Sequence, residues 1–361
     1  MNAGMHLALP VRALFKQTPD DFRVEEIPAY EPSGAGEHVY LTFEKTNLTT
    51  QEAVRDIGKA LGLQERDIGV AGLKDKVGIT TQTISLPKSP RAPDLEARTR
   101  ALALPGVRVI HVALHGNKLK TGHLRGNRFE IRLRGIRADA CAQVESGLDA
   151  IRAQGVPNAY GNQRFGREQD NAARAIAWLR GNAPGPREPK AKRFLVSALQ
   201  SEVFNQVLTE REKDGTWCVP QLGDLLERHP QGVFLCEDVS TDRARALTGE
   251  VSPTGPMFGP DMRAPAGHVA ALEARIMERI LGSNFPHEAA ARLGEGTRRS
   301  LRVWVGDLAN SWSETSASEG GSEEVSLSLF FVLPRGAYAT TVLARVFDLE
   351  QPALAVKGID S

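Results

Sequence analysis

Several features that would mark particular classes of protein are scarce in this sequence. Only three cysteines, Cys141, Cys218 and Cys236, occur among its 361 residues. Their odd number and wide spacing fit neither a disulfide framework nor a zinc site, and they favour a reducing, cytoplasmic environment. No run of about 18 apolar residues is present, so we expect no transmembrane helix. Residues 1–11 show neither a basic region nor a cleavage pattern, so we expect no signal peptide.

Charge of either sign is not in excess either. The net charge is +1 with 25% charged residues, which by itself indicates no charged partner. Hydrophobic residues make up 41% of the chain, which is enough for a substantial core. A chain of 361 residues exceeds the length at which one hydrophobic core usually keeps growing, so two domains are expected.

Positive charge is concentrated locally between Arg108 and Arg134. This segment contains seven Lys and Arg residues against Glu130 alone, and three histidines are interleaved with them. Such a density of cations suits a polyanion, of which a phosphate backbone is the commonest. The alternative is a basic surface that acidic neighbours balance in the folded protein.

The patterns in the first part of the chain predict strands mixed with helices, which favours an α/β (α+β) fold over a doubly wound one. A capping box of Thr49 and Glu52 predicts the start of a helix that Gly62 ends. Alternating apolar residues predict strands at 22–26, 38–44, 107–114 and 129–134.

The sequence changes character at about residue 155. Helical patterns at 172–179, 195–213 and 270–280 are separated by segments rich in Gly and Pro. Strands are expected at 303–305 and 325–333, and the Ser/Glu/Gly-rich stretch 311–324 between them is expected to be an exposed, mobile loop. Because 303–361 is too short for its own core, we expect it to rejoin the first sheet. The predicted domains are therefore 1–154 plus 303–361, and an insertion at 155–302.

The stretch from Ile68 to Ser85 contains the clearest candidate for chemistry. Two β-prone runs flank a polar tip in which Asp75 lies between Lys74 and Lys76, and glycines at 72 and 78 allow sharp turns. Adjacent cations favour the ionised form of a carboxylate, which prepares a nucleophile or a hydrogen-bond acceptor. The lysines are also available to hold phosphates. Taken alone, the triplet is more simply a solvated hairpin tip.

Three other stretches combine amides, aromatic rings and basic residues. Each one alone is explained by turn amides or core rings. Together they are typical of a site for single-stranded nucleotides, with stacking faces, amides and a basic groove. They are Arg125 to Phe129, Gly155 to Gly166 and Leu333 to Thr341.

These stretches, with the hairpin tip, resemble the ordered motifs of the TruD-type tRNA pseudouridine synthases, the tRNA pseudouridine-13 synthases. The resemblance extends from about Phe15 to Arg345. It is carried by Ala71-Gly-Leu-Lys-Asp-Lys76 with Thr80 and Gln82, by Gly126 to Phe129, by Gly155 to Gly166, by Ser197 to Asn205, and by a Leu-Pro-x-Gly-x-aromatic motif that ends at Tyr338.

The resemblance implies a pseudouridine synthase catalytic domain with a mixed, largely antiparallel sheet, interrupted by an α/β insertion domain. It implies an enzyme that detaches uracil from its ribose, turns it and rejoins it through C5, at uridine 13 of tRNA. No metal or other cofactor is expected, and we expect a monomer. The target base must leave its stack to reach a buried carboxylate, as in other enzymes that act on bases.

Site residues follow from the resemblance by position. The catalytic aspartate corresponds to Asp75, which either attacks C1′ of the ribose or takes the 2′ proton. Substrate-binding positions correspond to Phe22, Asn127 and Tyr338, where Tyr338 departs from the Phe that is expected. Phe22 and Tyr338 are hypothesised to sandwich the base, and Asn127 to orient Asp75 or the base. Phe129 is either a buttress of this wall or core.

Basic residues near the site have two expected roles. Lys16 and Lys74 are candidate electrostatic partners of the carboxylate. Candidates for contacts with tRNA phosphates are Lys76, Lys118, Lys120, Arg125 and Arg128. Two alternative functions are a non-catalytic RNA-binding protein or tRNA-folding chaperone on the same scaffold, and a hydrolase or lyase. The latter is disfavoured because no second carboxylate or group of metal ligands accompanies the tip.

Overall fold

A computed structural model describes residues 9–90, 93–166, 168–228, 232–314 and 323–352. The chain divides into two compact units with borders at 148/149 and 304/305. We call residues 149–304 the insertion unit, and residues 7–148 with 305–361 the sheet unit. The sequence predicted these borders at 154/155 and 302/303. The assignment of catalysis to one unit stays a prediction.

The strands and helices follow each other in a mixed order. The strands are β1 Val11–Phe15, β2 Phe22–Pro28, β3 His38–Thr46, β4 Gly69–Val70, β5 Ile79–Pro87, β6 Val107–His115, β7 Leu124–Arg137, β8 Val156–Pro157, β9 Leu225–Arg228, β10 Gly232–Leu235, β11 Ser252–Met257, β12 Thr297–Ser300, β13 Arg302–Val303, β14 Gly306–Glu314, β15 Glu324–Pro334 and β16 Phe347–Glu350. The α-helices are α1 Thr50–Leu61, α2 Leu95–Arg100, α3 Cys141–Gln154, α4 Asn171–Leu179, α5 Pro189–Lys213, α6 Val239–Leu247, α7 Gly267–Leu281, α8 His287–Ala291 and α9 Ala339–Leu343. No helix in these described ranges is both long and apolar enough to cross a membrane.

A ten-stranded sheet forms the sheet unit. Its main path runs β14-β15-β7-β2-β5-β3-β6, with β1 beside β7 and β16, and β4 beside β5. The pairs β2 with β5 and β1 with β16 are parallel, and the other pairs are antiparallel. The prediction of a mixed, largely antiparallel sheet is therefore confirmed. The C-terminal strands rejoin this sheet, as the short length of the segment predicted.

Helix α1 covers one face of the sheet and begins and ends where its sequence signals predicted. The hydroxyl of Thr49 accepts a hydrogen bond from the Glu52 amide at 3.0 Å, and the Glu52 carboxylate accepts one from the Thr49 amide at 2.7 Å. Gly62 ends the helix with a φ of 73°. The buried side of α1 packs against apolar residues of β3, β5 and β6. This packing fixes the start of α1 beside the hairpin formed by β4 and β5.

One expected loop is partly a strand. The sequence predicted that residues 311–324 form an exposed loop, whereas β14 extends through residues 311–314 and pairs with β15. The Trp312 indole nitrogen donates to the Glu145 carboxylate at 2.6 Å, a partner that sequence periodicity cannot reveal. Residues 315–322 of the predicted loop lie outside the described residues.

The insertion unit combines a long central helix with a small sheet. The predicted helices are confirmed as α4, α5 and α7, and α5 begins at Pro189, earlier than its apolar pattern indicated. The resemblance implied an α/β insertion, but the residue patterns did not locate the strands of its four-stranded sheet, which has the order β10-β9-β11-β12. Near the end of α5, the buried guanidinium of Arg211 makes two hydrogen bonds to the Asp224 carboxylate, at 2.7 and 2.9 Å.

Replacing Asp224 with Ala is expected to lower the free energy of unfolding by about 3–5 kcal/mol, because the buried Arg211 charge would lose its partner. Chemical denaturation of the whole chain measures this change. Glu210→Ala is the matched control, since in the Lys213–Glu210 pair on the same helix the lysine is 63% and the glutamate 27% exposed. Its loss is expected to change stability by less than about 1 kcal/mol. Equal effects of the two variants would contradict the prediction.

Candidate functional site

Polar side chains interrupt an otherwise apolar face of the large sheet. Lys45 on β3 pairs with Thr80 on β5, and Glu26 on β2 pairs with Asn127 on β7. Because side chains two residues apart on a strand share a face, Gln82 lies on the same face as Thr80. Lys45, Thr80, Gln82 and Glu26 are all buried. We call these five residues the polar stripe.

The hairpin tip, Gly72 to Gly78, is tied down at both ends. At one end, the Gly122 amide donates to the Ala71 carbonyl at 2.8 Å. At the other, the Asn47 amide donates to the Gly78 carbonyl at 3.1 Å, and the Asn47 side chain accepts from the Gly78 amide at 3.2 Å. Gly78 has a φ of 126°, and a Cβ at this position would lie 2.5 Å from the Phe22 carbonyl oxygen. Only glycine fits this turn without strain.

Lys45 supports the tip from the buried face of the sheet. The sequence patterns did not indicate this role. Its side chain is fully buried, and its ammonium group donates to the main-chain carbonyls of Leu48 and Asp75, the latter at 2.7 Å. Burial lowers the pKa of Lys45 to about 8, although the charge of Asp75 opposes this shift. Its position offered a signal, because Lys45 follows Val39, Leu41 and Phe43 on the inward side of an alternating strand.

The two lysines beside Asp75 bind other carboxylates. The Lys74 ammonium lies 2.6 Å from Glu26, and both side chains are buried. The Lys76 ammonium lies 3.2 Å from Glu52 at the start of α1. The expectation that these neighbours hold Asp75 ionised is therefore corrected: each has a partner distant in sequence, which the local triplet could not reveal.

The Asp75 carboxylate points towards solvent and has Lys16 as its nearby cation. Its side chain is 59% exposed, so the expectation of a buried carboxylate is wrong. The Lys16 ammonium lies 4.0 Å from Asp75 Oδ2. Burial lowers the pKa of Lys16, and the charge of Asp75 opposes this shift. Lys16 has a φ of 58°, an uncommon conformation for lysine that turns it towards this position.

Phe22 and Phe129 belong to a buried aromatic cluster. The Phe22 ring is 2% exposed, and the Lys16 ammonium lies 3.7 Å from its centroid. The Phe129 ring is stacked on Phe331 at 5.2 Å and lies 6.3 Å from Phe22. Of the two interpretations of Phe129, the structure places it in the core, where it also supports Phe22. Lys16 covers the Phe22 ring that was expected to stack on the base.

Asn127 lies within the sheet, whereas Tyr338 lies on an exposed segment after β15. Asn127 lies on β7 in register with both Glu26 and Leu333, on the polar stripe. Tyr338 precedes α9 and is 43% exposed. Within the described ranges, no hydrogen bond or ring contact joins Tyr338 to Phe22 or Asp75. The expected sandwich of Phe22 and Tyr338 is thus not formed in this conformation.

Unpaired polar atoms are concentrated in the polar stripe. The Lys74 amide donates to the Thr50 hydroxyl, which in turn donates to Gln82 Oε1, so this chain of bonds fixes the Gln82 amide orientation. Gln82 Nε2, Thr80 Oγ1 and Asn127 Oδ1 are buried and have no hydrogen-bond partner in the described part of the chain. Such atoms are rare in folded proteins and frequently mark functional sites. Thr80 and Gln82 were quoted as motif residues, but the sequence assigned no role to either.

The candidate phosphate ligands differ in whether they already bind another group of the protein. Arg128 forms an exposed ion pair with Glu25 at 2.6 Å. The Lys118 ammonium donates to the Arg66 carbonyl at 3.0 Å, and Arg125 Nε donates to the Ala29 carbonyl at 3.3 Å. Lys120 has an exposed side chain. Within the predicted basic cluster, Arg108 and Arg134 also have carboxylate partners, so much of its charge is balanced.

No group of three or more His, Cys, Asp or Glu side chains in the described ranges is arranged to hold a metal ion. The described side chains near the tip offer a carboxylate, an ammonium group 4.0 Å away and a row of amide and hydroxyl groups. A carboxylate in such a position can act as a nucleophile or as a base.

Comparisons with known proteins identify the family of the chain. The family model described as tRNA pseudouridine synthase D (TruD) matches residues 8–179 and 186–346. The chain is 43% identical over 350 residues to a tRNA pseudouridine synthase D of Anaeromyxobacter dehalogenans, covering 93% of this chain and 94% of that protein. It is 39% identical to a Thermus thermophilus protein of the same name, covering 92% of this chain and 88% of that protein.

A solved structure shows the same fold. The crystal structure of a putative tRNA pseudouridine synthase D from Methanosarcina mazei superposes with a TM-score of 0.78 and 21% identity, covering 96% of both chains. The family model and the identities to curated proteins extend over most of the chain. The chain therefore belongs to the tRNA pseudouridine synthase D family, isomerases that convert uridine in tRNA to pseudouridine.

Proposed function

We propose that this chain isomerises uridine 13 of tRNA to pseudouridine and that Asp75 is its catalytic carboxylate. The observation that carries the proposal is the exposed Asp75 side chain on a tip whose backbone is held from several directions. Residue 13 as the target rests on the resemblance of the tip motif to the pseudouridine-13 synthases.

The tip is suited to act on a nucleotide outside the protein core. Because the carboxylate is exposed, the uridine does not need to enter a deep pocket, but it must leave its stack to present C1′ to Asp75. Asp75 either attacks C1′ and displaces N1 of uracil, or removes the 2′ proton as N1 departs. In both routes the uracil turns, C5 bonds to C1′, the C5 proton is lost and N1 gains a proton. In the first route C5 displaces the Asp75 carboxylate from C1′, and in the second the 2′ proton returns from Asp75 to C2′ as C5 adds to C1′.

The surrounding residues have separate roles in holding Asp75, the uracil and the tRNA phosphates. Lys16 stabilises the charge on Asp75, and Lys74 holds the base of the tip through Glu26. Asn127 offers an unpaired acceptor for a uracil N–H, and Tyr338 offers an exposed ring for stacking. Phe22 acquires a stacking role only if Lys16 moves from its face. Lys76, Lys118, Lys120, Arg125 and Arg128 are proposed to contact tRNA phosphates.

The second candidate is an RNA-binding protein or tRNA-folding chaperone that does not need the carboxylate. The Asp75→Asn variant described next separates the two functions, because a chaperone would remodel tRNA normally without the Asp75 carboxylate.

Asp75→Asn keeps the size of the side chain and removes its charge, so pseudouridine formation is expected to fall below detection while tRNA binding is retained. Mass spectrometry of nuclease-digested tRNA measures the product and its position. Asp67→Asn, at an exposed carboxylate before the same hairpin, is the control and is expected to retain activity. Substantial product from Asp75→Asn would refute the catalytic role, and product only at other uridines would refute the assignment of position 13.

The lysine beneath the tip yields a pH-dependent prediction. Folding lowers the pKa of Lys45 to about 8 from 10.5, the ordinary value for a lysine, which we take for the unfolded chain. Between these values the unfolded chain binds more protons, so this group makes the folded state more stable as pH rises. The stability of the unmodified chain relative to Lys45→Met is therefore expected to increase from about pH 8 to pH 10.5.

Urea unfolding at several pH values measures this difference. Lys59→Met, which removes an exposed lysine from α1, is the control and should show no such trend. Lys45→Met should also slow turnover by about tenfold or more, because a charged hydrogen bond to the tip is worth about 1.5–3 kcal/mol. A flat stability difference between pH 8 and 10.5 would mean that Lys45 is not held as the structure shows.

A further inference from the structure

A group of basic residues at the start of α5 has no carboxylate partners. Arg187, Lys190, Lys192 and Arg193 occur within seven residues that contain Glu188 alone as an acid. Among the described residues, none of these four cations forms an ion pair. The opposite end of the same helix differs, since Lys213 lies 3.0 Å from Glu210. We call these four residues the α5 basic group.

An exposed aromatic ring lies directly after this group. Phe194 is 43% exposed, although it is a large apolar residue. It is four residues after Lys190 and three before Ser197, so the three lie on one side of the helix. The next residue, Leu195, faces the core of the insertion unit together with Leu199 and Val203. Phe194 therefore does not contribute to that core.

Arg164 holds the Phe194 ring in place from the neighbouring loop. Its guanidinium lies 5.4 Å from the Phe194 centroid and 5.5 Å from that of Tyr160. The same guanidinium donates to the hydroxyls of Ser197 and Ser201 on α5. A ring fixed in this way loses little freedom when a second flat group stacks on it.

Flat groups joined by phosphates are the chemistry that fits this surface. An aromatic face beside several free cations is the arrangement by which proteins bind single-stranded nucleic acid. We propose that the α5 basic group, Phe194 and Arg164 bind an unpaired nucleotide of the tRNA substrate. Its base stacks on Phe194, and the flanking phosphates contact Lys190 and Arg193. This inference rests on the proposed function, because it takes tRNA as the substrate.

The stacking contact is tested by binding, so that catalysis does not obscure it. In full-length Asp75→Asn protein, fluorescence anisotropy gives the Kd for tRNA. Phe194→Ala is expected to weaken binding roughly 5- to 100-fold, the range measured for the loss of one stacked base, and Phe194→Trp to retain it. Leu247→Ala, which removes another exposed apolar side chain of the same unit, should change the Kd less than about twofold. An unchanged Kd in Phe194→Ala would overturn the proposal.

The phosphate contacts are tested by salt dependence. A double variant, Lys190→Gln with Arg193→Gln, should reduce the slope of log Kd against log salt by about 1.4 to 1.8, since each lost contact contributes about 0.7 to 0.9. Lys213→Gln is the control on the same helix and should leave the slope unchanged, because Glu210 already neutralises this lysine. Equal slopes for the double variant and the control would overturn the phosphate contacts.

A photoreactive phenylalanine analogue at position 194 identifies the bound group. Crosslinking to an unpaired nucleotide of tRNA supports the proposal, whereas crosslinking only to added protein partners overturns it. Pseudouridine formation by the unmodified chain is measured in parallel. Normal product together with unaffected binding in Phe194→Ala refutes this inference alone. If the unmodified chain neither binds nor modifies tRNA, both the inference and the proposed function fail.

Discussion

The candidate site depends on a buried ammonium group that donates its hydrogen bonds to main-chain carbonyls. Lys45 is fully enclosed, and among the described residues its hydrogen-bond acceptors are the carbonyls of Leu48 and Asp75. Desolvation of such a charge is costly, and carbonyl dipoles offset it only in part. The lowered pKa of Lys45 is the sign of this cost. The tip is held close to the sheet because the Asp75 carbonyl is one of the main-chain acceptors of this ammonium group.

This arrangement separates the charges of the tip. Lys74 turns inwards to Glu26 and Lys76 turns to Glu52, so the backbone is anchored through the residues on both sides of Asp75. The Asp75 carboxylate is left exposed, with the Lys16 ammonium 4.0 Å from its Oδ2. Because the anchors act on the neighbours and on the main chain, they position the carboxylate without occupying its oxygens. Those oxygens stay available to a substrate.

Local signals in the sequence were sufficient for most elements of the sheet unit. The capping box of Thr49 and Glu52, the glycine that ends α1 and the alternation of β3 were all read from neighbouring residues and are confirmed. The partners of Lys74 and Lys76 were not predictable in this way, since Glu26 and Glu52 are distant in sequence. The end of β14 was missed for the same reason, because its polar residues form a strand only by pairing with β15.

The two basic regions show why a count of charges does not locate an RNA-binding surface. The segment 108–134 has the higher count, but the fold gives Arg108, Arg128 and Arg134 carboxylate partners from other strands. The start of α5 has fewer cations, and among the described residues none of them forms an ion pair. A phosphate must displace a carboxylate to reach Arg108, Arg128 or Arg134, but not to reach the cations at the start of α5. Availability of the charge, which only the folded chain determines, therefore favours the insertion unit as a contributor to RNA binding.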